Sequence, residues 1–204
     1  MIDINYAETL FNHLYGNING YQISRDARQT SGMDTENLLY GELPFASWQQ
    51  IVNRANPKQD GVFIDLGSGT GRIVFASYFA FDFKKTIGIE LLEGLHNKAC
   101  DVKKEFDENI KDKISTHAQN REINFLLQNI FDADLREADF IFMNHPFKDG
   151  EIFMQLEEKF LRELTPGTKI VTIIRSLKNP KFKQLGNESF EFSWGTSTAH
   201  FAEV

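Results

Sequence analysis

Apolar positions change their period along this chain, and the changes mark out its elements. Tyr6, Leu10, Phe11 and Leu14 recur at helical spacing and predict a short N-terminal helix that Gly16-Asn17-Ile18-Asn19-Gly20 ends. Residues 22–37 are rich in Gln, Arg, Asp and Ser without a clear period, and predict an irregular lid or linker. Phe45, Trp48, Ile51 and Val52 return every three or four residues and predict a helix over 45–55, entered through Pro44. Residues 62–66 form a short buried-strand run, followed by glycines at 67, 69 and 71 and an apolar helix over 72–81. Strands are predicted at 86–90, 123–127, 139–144 and 168–174, with helices at 91–109 and 151–164. The second of those helices stops at Thr165-Pro166-Gly167. The end of the chain, 189–194 and 196–204, reads as two strands around a turn.

Strands alternating with helices imply a parallel sheet covered on both faces. The expected class is α/β and Rossmann-like: a mostly parallel seven-stranded sheet closed by a C-terminal antiparallel hairpin. No repeat or low-complexity tract interrupts it.

Composition narrows the setting. At 204 residues the chain is one domain's worth of sequence, long enough to bury about 70% of its unfolded surface. Nineteen phenylalanines suit a densely packed core. No apolar run is long enough to span a membrane, and the first residues lack the pattern of a signal peptide. Cys100 is the one cysteine, so no internal disulfide forms, which fits a reducing, cytoplasmic compartment. No Cys/His spacing suggests a metal site. The net charge of −7 disfavours nucleic acid as a partner. The local exception is 169–183, where Lys169, Arg175, Lys178, Lys181 and Lys183 stand without an acidic residue; it reads as a solvated loop or as a contact surface for an acidic partner.

The glycine turn carries the first chemistry. Its spacing is G-x-G-x-G (Gly67, Ser68, Gly69, Thr70, Gly71), not the G-x-G-x-x-G of dinucleotide binders. Asp65 sits two residues before it, where a carboxylate repels a pyrophosphate but accepts a hydrogen bond from an ammonium. A ligand with an amino acid end follows, and S-adenosylmethionine (SAM) is the expectation. Glu90 closes the second strand 19 residues after Gly71, about the offset at which an acidic side chain reaches a ribose diol. Asn129 and Ile130 follow the third strand, placed to meet an adenine edge and face. Asn144, His145 and Phe147 follow the fourth strand, at the sheet edge where such folds bind ligands. Asn144 is the better candidate there, and His145 reads as a structural residue. By spacing alone Tyr40 to Glu42 is a structural turn that could cover a ligand.

Taken together these residues resemble the Dot1-like lysine methyltransferases, a class I SAM-dependent group. The resemblance covers about residues 38–204 and rests on Tyr40-Gly41-Glu42, on Asp65 through Gly71, on Gly88-Ile89-Glu90, on Asn144 to Phe147, and on Ser193-Trp194. It implies an N-terminal helix and lid segment over 1–39 and a methyltransferase domain over 40–204. It implies that Tyr40 and Glu42 close over the cofactor and that Asp65, Gly67, Ser68, Gly69 and Gly71 hold its methionine part. Glu90 then binds the ribose, and Asn129 and Ile130 the adenine, where the family usually has Asp and Phe. Asn144 lies near the transferred methyl, while Phe147 and the hairpin, with His200 and Phe201, line the path of the target amine. The implied acceptor is a protein lysine. Asn144-His145-Pro146-Phe147 is also similar to the Asn-Pro-Pro-Phe/Tyr motif of methyltransferases acting on nucleobases or glutamine. An acceptor of that kind or a small-molecule amine is therefore the alternative, and a non-catalytic SAM-binding scaffold a second.

Overall fold

The computed structural model describes residues 2–32, 38–144 and 147–204. Seven strands form one sheet: β1 Val62–Leu66, β2 Lys85–Glu90, β3 Glu122–Leu127, β4 Phe140–Met143, β5 Lys169–Ile173, β6 Lys183–Phe192 and β7 Gly195–Glu203. Their spatial order is β3-β2-β1-β4-β5-β7-β6. The first five run parallel, and β7 enters antiparallel between β5 and β6. The strand order therefore reverses between β1 and β4, and open sheets of this kind bind ligands beyond the carboxyl ends of the strands at that point.

All five residues of β1 are buried, as a central parallel strand requires. Their alternation feeds two cores. Phe63 joins a cluster with Trp48, Phe83 and Phe140 under the helices α1 Ile4–Tyr15, α3 Phe45–Ala55 and α4 Arg72–Ala80. The Trp48 ring lies 6.1 Å from Phe140 and 4.8 Å from Phe142. On the other face Ile64, Ile141 and Met143 pack with Phe153, Leu156 and Phe160 of α7 Gly150–Glu163. α5 Glu93–Asn109 covers β2 and β3 with a charged outer face, and the short α6 Thr116–Gln119 follows it. The phenylalanines thus fill mainly one of the two layers. Among the described residues no helix is long and apolar enough to cross a membrane.

Three expectations are corrected. Residues 22–31 are not irregular: they lie in helix α2 Gly20–Ser31, capped by the Asn19 side chain, which accepts from the Gln22 N–H at 3.0 Å. Its buried face is made of Gly20, Ser24 and Ala27; Ala27 lies against α5, 3.0 Å from where a Cβ on Gly94 would stand, and Gly20 leaves room for Tyr40 and Glu42. An apolar period is invisible when small residues build it. The remainder of the expected lid, 33–37, lies outside the described residues. Secondly, Tyr6 is exposed, and α1 buries Ala7, Leu10, Phe11, Leu14 and Tyr15 instead. Thirdly, the basic stretch is only partly a loop. Lys169 and Lys183 lie in strands and both pair with Glu203, while Glu157 of α7 accepts the Lys178 and Asn179 backbone N–H groups.

Candidate functional site

The glycine turn is tied to its neighbouring strand. The N–H groups of Gly67 and Ser68 both donate to the Ile89 carbonyl, at 2.9 and 3.0 Å. Gly67, Gly69 and Gly71 all have positive φ (+81°, +55° and +81°), which a side chain would strain. Their surroundings differ. A Cβ on Gly71 would lie 2.6 Å from the Phe125 ring, and Gly71 lines no cavity described below; it serves as the N-cap of α4. A Cβ on Gly69 would lie 2.8 Å from the Tyr40 ring, and one on Gly67 would meet nothing within 4 Å. Gly67 therefore presents bare backbone to open space.

Glu90 ends β2 buried, its carboxylate accepting three backbone N–H groups: Gly69 at 2.8 Å, Leu91 at 2.9 Å and Leu92 at 2.8 Å. Burial raises its pKa, and the three amides offset part of that rise. Asp65 is 2% exposed, and among the described residues no donor reaches its carboxylate. Burial, and next the charge of Glu90, push its pKa well above the usual carboxylate range. A buried carboxylate in that condition is poised for a cationic partner.

Tyr40 and Glu42 come over the turn from the segment before α3. The Tyr40 hydroxyl donates to Glu42 Oε1 at 2.9 Å and lies 3.3 Å from Thr70 Oγ1. Burial, and then Glu42, hold the Tyr40 phenol well above its ordinary pKa, so it remains a donor. The segment is pinned from the hairpin: Ser193 Oγ donates to the Glu42 carbonyl at 2.9 Å and accepts from its N–H at 3.1 Å, and the Ser193 N–H donates to the same carbonyl at 3.1 Å. Asn144 completes the arrangement. Its Nδ2 donates to the Gly41 carbonyl at 3.0 Å, while its Oδ1, like Ser68 Oγ, is buried and has no partner among the described residues.

These groups surround two hollows that share part of their lining. A cavity of about 370 Å³ is lined by Gly67, Gly69, Glu90, Asn129, Ile130, Asn144 and Phe147, with Tyr40, Leu38, Leu39, Leu92, Phe131 and Ile152 as further walls. A recess of about 40 Å³ takes in Asp65, Ser68, Thr70, Glu42 and Arg72, and shares Tyr40, Gly67, Gly69 and Asn144 with the cavity. Every cofactor residue expected from the sequence lines one of the two, save Gly71. Asn129 Oδ1 accepts from the Phe131 N–H at 3.0 Å, a turn bond that an aspartate makes equally well. The Phe131 and Phe147 rings stack, 5.9 Å apart and inclined by 22°.

The hairpin residues go elsewhere. Phe201 is buried in the Phe-rich core with Arg54 over its ring, and His200 Nε2 stands 3.2 Å from the Ile174 carbonyl at the end of β5. Neither lines either hollow. His145 and Pro146 lie outside the described residues. The sequence reading missed Leu38, Leu39, Phe131 and Ile152 as walls, and Tyr15, whose hydroxyl donates to the Thr70 carbonyl at 3.1 Å. Of these only Phe131, adjacent to Ile130, carried a local signal.

The family described as "Histone methylation protein DOT1" matches residues 29–193. A histone-lysine N-methyltransferase, H3 lysine-79 specific, from Caenorhabditis elegans is 28% identical over 161 residues, 78% of this chain and 16% of that protein. A protein-lysine N-methyltransferase from Saccharolobus islandicus is 27% identical over 136 residues, 65% of this chain and 74% of that protein. The chain thus spans about a sixth of the first relative and about three quarters of the second. Among solved structures, an RNA methyltransferase from Salinibacter ruber in complex with S-adenosylhomocysteine superposes with a TM-score of 0.56 at 22% identity, covering 79% of this chain and 92% of that one. TrmN from Thermus thermophilus gives 0.60 at 20% identity, covering 82% and 51%. At such identities the structures establish a methyltransferase fold.

Proposed function

The chain belongs to the DOT1 histone methylation family, a family of SAM-dependent methyltransferases, and from that premise we propose that its cavity binds SAM and directs methyl transfer to a lysine amine of a protein. The observation that carries the proposal is Asn144: it lines the cavity and the recess together with the bare backbone of Gly67, its buried carboxamide oxygen has no partner among the described residues, and the buried carboxylates Glu90 and Asp65 line the cavity and the recess respectively. The residues present suit the cofactor. Asp65, which has no donor among the described residues, would hold the ammonium of the methionine part; the open side of Gly67 would receive its backbone, Glu90 the ribose hydroxyls, and Asn129, Ile130 and Phe131 the adenine.

When bound, SAM supplies an electrophilic methyl on a sulfonium. The chain's own work is binding, orientation and exclusion of water. The Asn144 oxygen accepts a hydrogen from the incoming amine and aims its lone pair. Apolar walls such as Leu39, Phe147 and Ile152 disfavour an ammonium, so the amine arrives uncharged and nucleophilic. Tyr40, held through Glu42 and Thr70, covers the glycine turn. A protein acceptor is supported by the two lysine methyltransferase relatives and by the net charge of −7, which works against nucleic acid. The single cysteine accords with a cytoplasmic setting.

The test has two stages. Isothermal calorimetry with SAM, and NAD as control, is expected to show binding of SAM alone; no binding overturns the cofactor assignment. Tritiated SAM is then incubated with protein, nucleic acid and small-molecule fractions. Label recovered as methyllysine from the protein fraction supports the acceptor, and label confined to either other fraction overturns it.

A further inference from the structure

At the end of β5 the backbone takes a course its sequence resists. Ile174 has φ of +71°, and a β-branched residue is rarely found there. The Arg175 N–H donates to the Ile173 carbonyl at 2.9 Å, so the chain turns tightly around Ile174 in the strained, positive-φ form of a γ-turn. Neighbours hold it in place. The Ile174 N–H donates to the Thr198 carbonyl at 2.8 Å, Thr172 Oγ1 donates to the Arg175 carbonyl at 2.6 Å, and His200 stands against the Ile174 carbonyl. Strain persists only when the surroundings over-determine it, and it collects at functional sites.

The turn sends the Arg175 guanidinium across to the segment between β4 and α7. Nη1 donates to the Phe147 carbonyl at 2.7 Å and to the Asp149 carbonyl at 3.2 Å, and Nη2 donates to the Lys148 carbonyl at 2.8 Å. Its Cζ lies 5.3 Å from the centre of the Phe153 ring. One side chain therefore gathers three consecutive carbonyls. A cation beside the N-terminus of α7 opposes the helix dipole, so helix stability does not account for it. A planar fork of five donors suits a row of carbonyls, which a lysine ammonium cannot match. The segment so held carries Phe147, which lines the cavity and stacks on Phe131. Its other end is fixed by the bond from Asn144 to Gly41.

We infer that Arg175 is a positioning residue for methyl transfer: through the three carbonyls it sets Phe147 in the wall of the cavity that Asn144 also lines. The inference deepens the reading of the cavity given above and rests on it. Arg175→Ala and Arg175→Lys are compared with the unaltered chain. Hydrogen exchange of the unliganded proteins is expected to show the peptide covering 147–153 exchanging about tenfold faster in both variants, with β1 and β4 unchanged, a ratio equivalent to about 1.4 kcal/mol. Methyl transfer to the labelled fraction is expected to fall about tenfold while SAM affinity stays within about twofold. Millimolar guanidinium is expected to restore much of the loss to Arg175→Ala, and the fall in transfer rate at unchanged SAM affinity is the readout that a merely structural role would not show. Unchanged exchange at 147–153, or full activity of Arg175→Lys, overturns the inference. Failure of the unaltered chain to bind SAM overturns the methyltransferase reading instead, and the exchange comparison still decides whether Arg175 holds the segment.

Discussion

Replacing Asp65 by asparagine separates what this residue costs the fold from what it does for the ligand. The carboxyl is 2% exposed, receives no hydrogen bond among the described residues, and has Glu90 as its charged neighbour. Its raised native pKa fixes the sign of the pH dependence. A carboxyl that binds its proton more tightly folded than unfolded favours the folded state below the unfolded value of about 4, and that advantage is lost as pH rises through the native value. Near pH 7.5 the unliganded protein therefore carries a penalty that a neutral amide at this position would relieve. Each tenfold by which the folded state holds the proton more tightly than the unfolded one is worth about 1.4 kcal/mol of that penalty. Asp65→Asn is thus expected to raise the melting temperature by at least about 3 °C at pH 7.5, a gain that shrinks as pH falls below about 3, where the carboxyl is protonated in both states. The same change removes a charge-assisted bond to the SAM ammonium, worth about 1.5–3 kcal/mol, so SAM binds roughly ten- to 150-fold more weakly. Scanning calorimetry across pH and titration calorimetry with SAM read both effects. A variant that melts lower at pH 7.5, or one that binds SAM as tightly as the unaltered chain, refutes the reasoning.

Other substitutions probe neighbouring contacts. Gly69→Ala puts a Cβ 2.8 Å from the Tyr40 ring at φ +55°, so a loss of about 1–2 kcal/mol in urea unfolding is expected, with weakened SAM binding as Tyr40 is pushed aside; a neutral result would mean the turn relaxes freely. Glu90→Gln sets an amide NH₂ against backbone N–H groups now bonded to the carboxylate, leaving at least one of Gly69, Leu91 or Leu92 unpaired. It is expected to cost about 1–3 kcal/mol of stability as well as SAM affinity, and equal stability by urea titration would exclude this role. Asn144→Ala is expected to slow single-turnover methyl transfer about tenfold or more with little change in the SAM dissociation constant; an unaltered rate would remove Asn144 from the alignment of the amine.

Much of this architecture was legible because its signals are local. β1 is a continuous apolar run with one carboxylate, and the glycines after it are forced by positive φ, so strand and turn are written in adjacent residues. Glu90 was legible for a similar reason: a parallel crossover of fixed length places the end of β2 beside the turn, and its carboxylate reaches the Gly69 N–H. Helix α2 was not legible, because the face it buries is Gly20, Ser24 and Ala27, and close approach of helices needs the small residues that leave no apolar period. The separate functions of the three glycines were equally hidden. Only the positions of Phe125 and Tyr40, contributed by β3 and by the segment before α3, show that Gly71 serves packing while Gly67 faces open space.

The contacts that shape the acceptor side come from parts of the chain far apart in sequence, and this bears on how the site works. Ser193, at the turn of the hairpin, holds Glu42 across 151 positions, and Arg175 holds Phe147 across 28. The strands β5, β6 and β7 thus brace both the segment over the glycine turn and the segment beyond β4, whereas the cofactor residues Asp65, Gly67 and Glu90 belong to β1, β2 and the turn between them. The hairpin therefore acts on the cofactor side through Ser193 and the Tyr40–Glu42 segment, while Arg175 at the end of β5 acts on the wall that carries Phe147. Arg175→Ala should then lower the rate of transfer while sparing SAM affinity, whereas Ser193→Ala, which frees the segment carrying Tyr40 and Glu42, should weaken SAM binding as substitutions around β1 and β2 do.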